Sequence, residues 1–175
     1  MKSGKSTELF RQMERKHIAG KTILYVGPKK DDREFYARGI PRSKLFEVAT
    51  VKTVTDWSQV NIQEYVNEYD AIFVDEFFMI SNNKLLCETI AINGTKNDIF
   101  FAGLLADANA KLWSESIEIL PYCDEIFKMN AVCENCGSEH ANYSFMKNIK
   151  PGQILVGDSE YKALCRRCFL KLRNK

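Results

Sequence analysis

This chain predicts an α/β domain with a mostly parallel sheet covered by helices on both faces, followed by a small cysteine-rich lobe. Three observations carry that expectation. Short apolar runs at 22–26, 71–74 and 99–105 read as fully buried strands. Segments with helical spacing alternate with them. Near residue 131 both patterns give way to two C-x-x-C pairs, turns and short β-prone stretches. The division is therefore drawn between 1–130 and 131–175.

Each element follows from its residues. Within 7–19, Leu9, Phe10 and Met13 recur at helical spacing, basic residues fill the other face, and Gly20 supplies a stop. The run 22–26 (T-I-L-Y-V) is β-branched and apolar, and Gly27-Pro28 ends it. Residues 29–55 have no clean period and mix both charges, so a long, partly mobile connection is expected, with a short strand near 46–48. A helix over 60–69 leads to the strand 71–74, which ends on Asp75-Glu76. A helix over 82–92, a strand over 99–105, a short helix over 114–120 and a strand over 126–132 complete the domain. The cysteine lobe offers β-prone segments at 142–146 and 153–156.

A length of 175 residues with 45% hydrophobic content suits one core with an appended lobe. The formal net charge of +2 gives little field to attract a polyanion, so nucleic acid is disfavoured as a partner. No apolar run approaches the roughly 18 residues that suggest a membrane span. The first twenty residues are charged and periodic, unlike a signal peptide, and a cytoplasmic location is expected.

Gly4-Lys5-Ser6-Thr7 matches the second half of the phosphate-binding loop G-x-x-x-x-G-K-[ST]. In that loop backbone N–H groups wrap phosphates, the lysine reaches the β and γ oxygens, and the hydroxyl holds Mg²⁺. Counting back, the first glycine falls before Met1, so either the polypeptide starts upstream or the loop is incomplete and its strand missing. The predicted helix starts at Thr7, and its dipole and N–H groups favour an anion there. Asp75 lies where a P-loop enzyme keeps a Mg²⁺-holding acid. The alternative for Asp75-Glu76 is a solvated strand end, which the Gly-Lys-Ser motif and the α/β pattern disfavour. Glu76, on the opposite side if the strand continues, is placed to take a proton from an attacking hydroxyl.

Cys133, Cys136, Cys165 and Cys168 form two pairs suited to tetrahedral Zn²⁺, and four thiolates leave no open position, so the metal is expected to be structural. Packed cysteines without metal are the alternative. Cys87 and Cys123 read as packed thiols, His17 and His140 as surface residues. The basic set Lys162, Arg166, Arg167, Lys171, Arg173 and Lys175 reads as a solvated face, with nucleic-acid contact as the alternative.

Taken in order, these residues resemble the type II thymidine kinase family, the cellular, bacterial, phage and poxvirus form. M-K-S-G-K-S-T-E-L at 1–9 is similar to M-F-S-G-K-S-T-E-L, Asp31-Asp32-Arg33 to D-x-R, and Asp75-Glu76 to D-E-x-Q-F. The cysteine pairs, 103–113 (G-L-L-A-D-A-N-A-K-L-W) and 156–169 (V-G-D-S-E-Y-K-A-L-C-R-R-C-F) extend the likeness over nearly the whole chain. The resemblance implies ATP-dependent phosphorylation of the 5′-hydroxyl of thymidine by a P-loop-type domain. Glu76 would be the general base. Gly4, Lys5, Ser6, Thr7 and Arg33 would hold the donor phosphates, and Ser6, Asp75 and Asp31 would serve Mg²⁺. A lasso loop at about 144–161 would close over the nucleoside, with Met1, Met79, Leu104, Trp113, Ser144, Val156 and Tyr161 around it. A homotetramer is also implied.

Departures from the pattern bear on nucleoside choice: Phe77-Phe78 precede Met79, Ala108 stands for a base-contacting phenylalanine, and Val156 for a lasso glycine. Two competing readings remain, a zinc-ribbon nucleic-acid-binding protein and a P-loop ATPase with a degenerate site. Neither needs Glu76 paired with a loop containing Tyr161.

Overall fold

The computed structural model describes residues 2–29, 35–37, 40–93, 97–146 and 161–173, with 35–37 described by backbone alone. Helix α1 (Lys5–Ile18) buries Leu9, Phe10 and Met13, the stripe expected from their spacing. Gly20 ends it at φ 72, where the amides of Gly20 and Lys21 donate back to the carbonyls of His17 and Lys16. A left-handed residue is needed to turn both amides inward, so glycine sits there without strain.

Strand β1 (Ile23–Gly27) follows, then a short antiparallel pair, β2 (Phe35–Ala37) and β3 (Ile40–Pro41). Helix α2 (Ser43–Val48) and strand β4 (Thr50–Thr53) replace the strand expected near 46–48. The reason is burial: Leu45 is fully enclosed beside α1, whereas Phe46 is 65% exposed, a one-sided contact that a helical turn supplies. Helix α3 (Ile62–Glu68), capped by the Asn61 side chain on the Glu64 amide, leads into β5 (Ala71–Asp75). Helix α4 (Asn83–Ile92), β6 (Asp98–Ala102) and α5 (Ser114–Ile119) come next.

The main sheet has the order β4-β1-β5-β6, every pair parallel. Both central strands are buried along their whole length, as their continuous apolar runs require. One core cluster packs α1 and α2 on Tyr25 and Phe73; the other packs α3, α4 and α5 on Leu24, Val26, Ile72 and Val74. Alternate residues thus face opposite helical layers. All four strands run the same way, so Gly27, Asp75 and Ala102 share one end of the sheet.

Two further expectations change. Strand β6 stops at Ala102, because Gly103 passes against the Phe77 ring: a Cβ there would lie 2.7 Å from it. The strand expected over 126–132 forms no ladder beyond a bridge from Ala131 to Ala141, and Phe127 is 81% exposed. Its apolar residues favour an extended backbone but find no neighbouring strand. The cysteine-rich segment contains an antiparallel pair, β7 (Ala141–Phe145) with β8 (Lys162–Cys165), and helix α6 (Arg166–Arg173). These elements share a separate core of Ala131, Leu164, Phe169 and three cysteines among others. The segment 153–156 lies outside the described residues. Among the described residues no helix is long and apolar enough to cross a membrane.

Candidate active site

The site grows from the start of α1. Gly4 stands just outside the helix at φ 81, a conformation suited to glycine, and accepts the Glu8 amide at 2.9 Å. Gly4 has no side chain with which to cap this end, so the first-turn N–H groups and the positive end of the helix dipole form an anion-binding arrangement. One turn in, the Ser6 hydroxyl donates to Asp75 Oδ2 at 3.4 Å. That contact joins the helix start to the tip of β5. Asp75 is completely buried, and its Oδ1 accepts the Glu76 amide at 2.9 Å.

Glu76 is not placed as strand alternation suggested. Strand β5 ends at Asp75, and Glu76 takes a left-handed conformation at φ 47. A 3₁₀ turn, Phe77–Met79, then carries the chain away. Asn83 holds that turn: its amide donates to Phe77 O at 2.8 Å and Ile80 O at 2.6 Å, while its oxygen accepts the Trp57 indole N–H at 3.0 Å. Both Asn83 and Trp57 are fully buried. An uncommon backbone geometry is thus fixed from behind by satisfied polar groups.

Met79, Leu104 and Trp113 pack against the same core cluster, together with Phe77 and Phe78. The Trp113 ring stacks on Phe78 with centroids 5.4 Å apart, and its buried N–H finds no hydrogen-bond partner among the described residues. Ala108 is buried, in a turn where the Asp107 carboxylate accepts the amides of Asn109 and Lys111 at 2.9 and 2.8 Å.

The four paired cysteines converge, their sulfurs all within 4.8 Å of one another. Cys136 and Cys165 sulfurs are 3.7 Å apart. A tetrahedron with metal–sulfur bonds of ~2.3 Å has an edge of ~3.8 Å, so this spacing fits a thiolate-bound ion. Cys133 opens the first turn, accepting the Gly137 amide, and Gly137 takes φ 74. The Cys165 backbone N–H is the main reason that the Cys133 thiol is held down to about 6. Asn135 donates to the Cys168 sulfur at 3.2 Å and lowers its pKa, yet burial and the neighbouring thiols push Cys168 up to about 11. Such a cluster binds metal by losing protons. Apart from the cluster, Cys87 is buried and pushed up to about 12 by desolvation, an inert thiol.

A family model for thymidine kinases matches residues 1–169. The chain belongs to the thymidine kinase family. It is 30% identical over 169 residues to a thymidine kinase of myxoma virus (strain Uriarra), covering 97% of this chain and 91% of that one. A thymidine kinase of Choristoneura fumiferana entomopoxvirus is 28% identical, with 97% and 91% covered. One from Bacteroides thetaiotaomicron is 28% identical, with 100% and 85% covered.

Several predicted residues of this thymidine kinase family member come together. Ser6 touches Asp75, and Glu76 follows directly. Tyr161 is buried at the entry to β8, and its carbonyl accepts Lys2 Nζ at 3.4 Å. Ser144 is buried in β7, in register with Ala163. Gly4, Lys5 and Thr7 lie at the start of α1. Met1, Asp31, Arg33 and Val156 lie outside the described residues. Sequence reasoning missed Trp57 and Asn83, whose partnership spans 26 positions and leaves no local pattern. It also missed Lys2 and Glu134. The Ala163 amide and then Lys2 hold the Glu134 carboxyl below its usual range.

Proposed function

We propose that this chain transfers the γ-phosphoryl group of ATP to the 5′-hydroxyl of thymidine, in deoxynucleoside salvage. The observation carrying the reading is the Ser6 to Asp75 contact, which sets the uncapped helix start beside the acidic strand tip. In the reaction the 5′-oxygen forms a bond to Pγ, the bond from Pγ to the bridging oxygen of ADP breaks, and the hydroxyl proton passes to the Glu76 carboxylate. Gly4, Lys5, Ser6 and Thr7 grip the phosphates, with Arg33 completing their surroundings. Ser6, Asp75 and Asp31 would hold Mg²⁺ through oxygens, hard donors of the kind it prefers, and the ion would supply charge neutralisation of the phosphates. Met1, Met79, Leu104, Trp113, Ser144, Val156 and Tyr161 surround the nucleoside. Little covalent work is left for the protein, so rate comes from positioning and charge.

Zinc is the ion proposed for the four cysteines, supported by sulfurs all within 4.8 Å of one another and by the 3.7 Å between Cys136 and Cys165. With all four thiolates taken up, the ion would be structural, and Cys136 and Cys165 would hold the ends of the segment between them, which would lower the entropy lost when that segment orders on a nucleoside. We place the boundary between a nucleotide-binding domain at 1–130 and a zinc lobe at 131–175. A homotetrameric, cytoplasmic enzyme is the corresponding whole. The test is phosphoryl transfer from labelled ATP to thymidine, deoxyuridine and deoxycytidine. Product with thymidine supports the reading; ATP hydrolysis that thymidine does not influence, or salt-sensitive DNA binding without product, defeats it.

A further inference from the structure

Lys2 links the start of α1 to the cysteine-rich segment. It lies two residues before Gly4, in a left-handed conformation at φ 57 that is uncommon for a non-glycine residue. Its ammonium sits 3.0 Å from Glu134 Oε1 and 3.4 Å from the Tyr161 carbonyl oxygen. Glu134 falls inside the first cysteine pair, and its Oε1 also accepts the Ala163 amide at 2.8 Å. Its own amide donates to Ala163 O at 2.9 Å. Glu134 is therefore stitched to β8 twice, and any force on its carboxylate is passed to the strand that follows Tyr161. A second charged side chain joins the two parts away from the start of α1: the Arg173 guanidinium on α6 donates to Asn109 O at 3.2 Å.

We propose that Lys2 is a positioning residue for the nucleoside site: shared between Glu134 and the Tyr161 carbonyl, it sets the distance between the start of α1 and the start of β8. The role rests on the kinase reading above. Nothing in the pair is needed to hold the fold, because both side chains are more than a third exposed and such pairs contribute little stability. Orientation of one lobe on the other is where a weak, directional link has effect. A donor phosphate gripped at Gly4–Thr7 and an acceptor held under Tyr161 must meet within a fraction of an ångström of in-line geometry. The consequence falls on nucleoside binding more than on ATP, since the start of α1 is fixed by its own helix and by Asp75.

The test uses the full-length, metal-loaded chain with Lys2→Met, Lys2→Arg, Glu134→Gln and the Lys2→Met/Glu134→Gln pair, at equal metal content. Glu134→Gln keeps an oxygen for the Ala163 amide while removing the charge. Lys2→Met is expected to raise KM for thymidine about threefold, as an exposed pair allows, with kcat and KM for ATP within about twofold. Lys2→Arg restores the value, Glu134→Gln matches Lys2→Met, and the double variant is no worse than either. The effect shrinks as salt rises from about 0.05 to 0.5 M. Unchanged KM in Lys2→Met, or additive effects in the double variant, overturn the proposal. A second arm needs no turnover: hydrogen exchange of the Ala163 amide quickens several-fold in Lys2→Met if the link exists and stays constant if it does not. Absence of any nucleoside phosphorylation in the parent chain would defeat the kinase reading, and this arm would still decide on the link.

Discussion

Replacing Asn83 with alanine attacks the support behind Glu76 without touching any substrate-facing atom. Two buried groups lose their partner at once, the Ile80 carbonyl and the Trp57 indole N–H, while the Phe77 carbonyl keeps only the Ile80 amide. Each orphaned group costs about 1–3 kcal/mol. Water entering the vacated space recovers part of that, which leaves a loss of about 2–4 kcal/mol. Against a total stability of about 5–15 kcal/mol this is a large fraction. The turn 77–79 is then free to drift, and with it the left-handed Glu76, so kcat falls at least about tenfold in the surviving folded protein. Asn83→Asp is expected to be worse, because it removes both donated hydrogen bonds and sets a carboxylate against two carbonyl oxygens. Urea unfolding of the metal-loaded protein gives the stability change, and turnover at saturating substrates gives the rate. A stability loss below about 1 kcal/mol with unchanged kcat would refute the view that Asn83 holds this turn.

Gly103→Ala drives a methyl group to 2.7 Å from the Phe77 ring and should cost about 1–3 kcal/mol by thermal or chemical unfolding. Chelation of the metal should unfold the 131–173 segment, whose small core is partly made of the cysteines themselves, and abolish turnover; retained β7 and β8 amide protection after chelation would contradict this. Glu8, held down to about 2 mainly by Arg11 and then Gln12, adds a little stability that is present above pH 4.5 and fades as pH falls toward 2. Glu8→Gln should flatten that acid limb slightly. Cys87 ionises from about 9 when unfolded and only near 12 when folded, so stability drops as pH rises between those values, a limb that Cys87→Ser removes.

Much of the fold was legible because burial leaves a local mark. Residues 71–74 are apolar without alternation since both sheet faces are covered, and Leu9, Phe10 and Met13 mark the inner side of α1. Where the decisive contact is distant, the mark disappears. Leu45 is helical because α1 passes beside it, and 126–130 stays unpaired because no strand reaches it. The site divides in the same way. Gly4 to Thr7, Asp75 and the cysteines announce themselves by type and spacing. The turn at Glu76 does not, because its geometry depends on Asn83 and Trp57, one before and one after it in sequence. Lys2 and Glu134 were equally hidden, being ordinary surface charges until the fold brings positions 132 residues apart into contact.

The central claim is that Glu76, turned out beyond Asp75, receives the proton of the attacking nucleoside hydroxyl. Its most direct test is Glu76→Gln, comparing kcat for thymidine phosphorylation with thymidine affinity measured separately by calorimetry. The expected result is a fall in kcat of about 10²–10⁴-fold with affinity nearly unchanged. Undiminished kcat in that variant would contradict the mechanism.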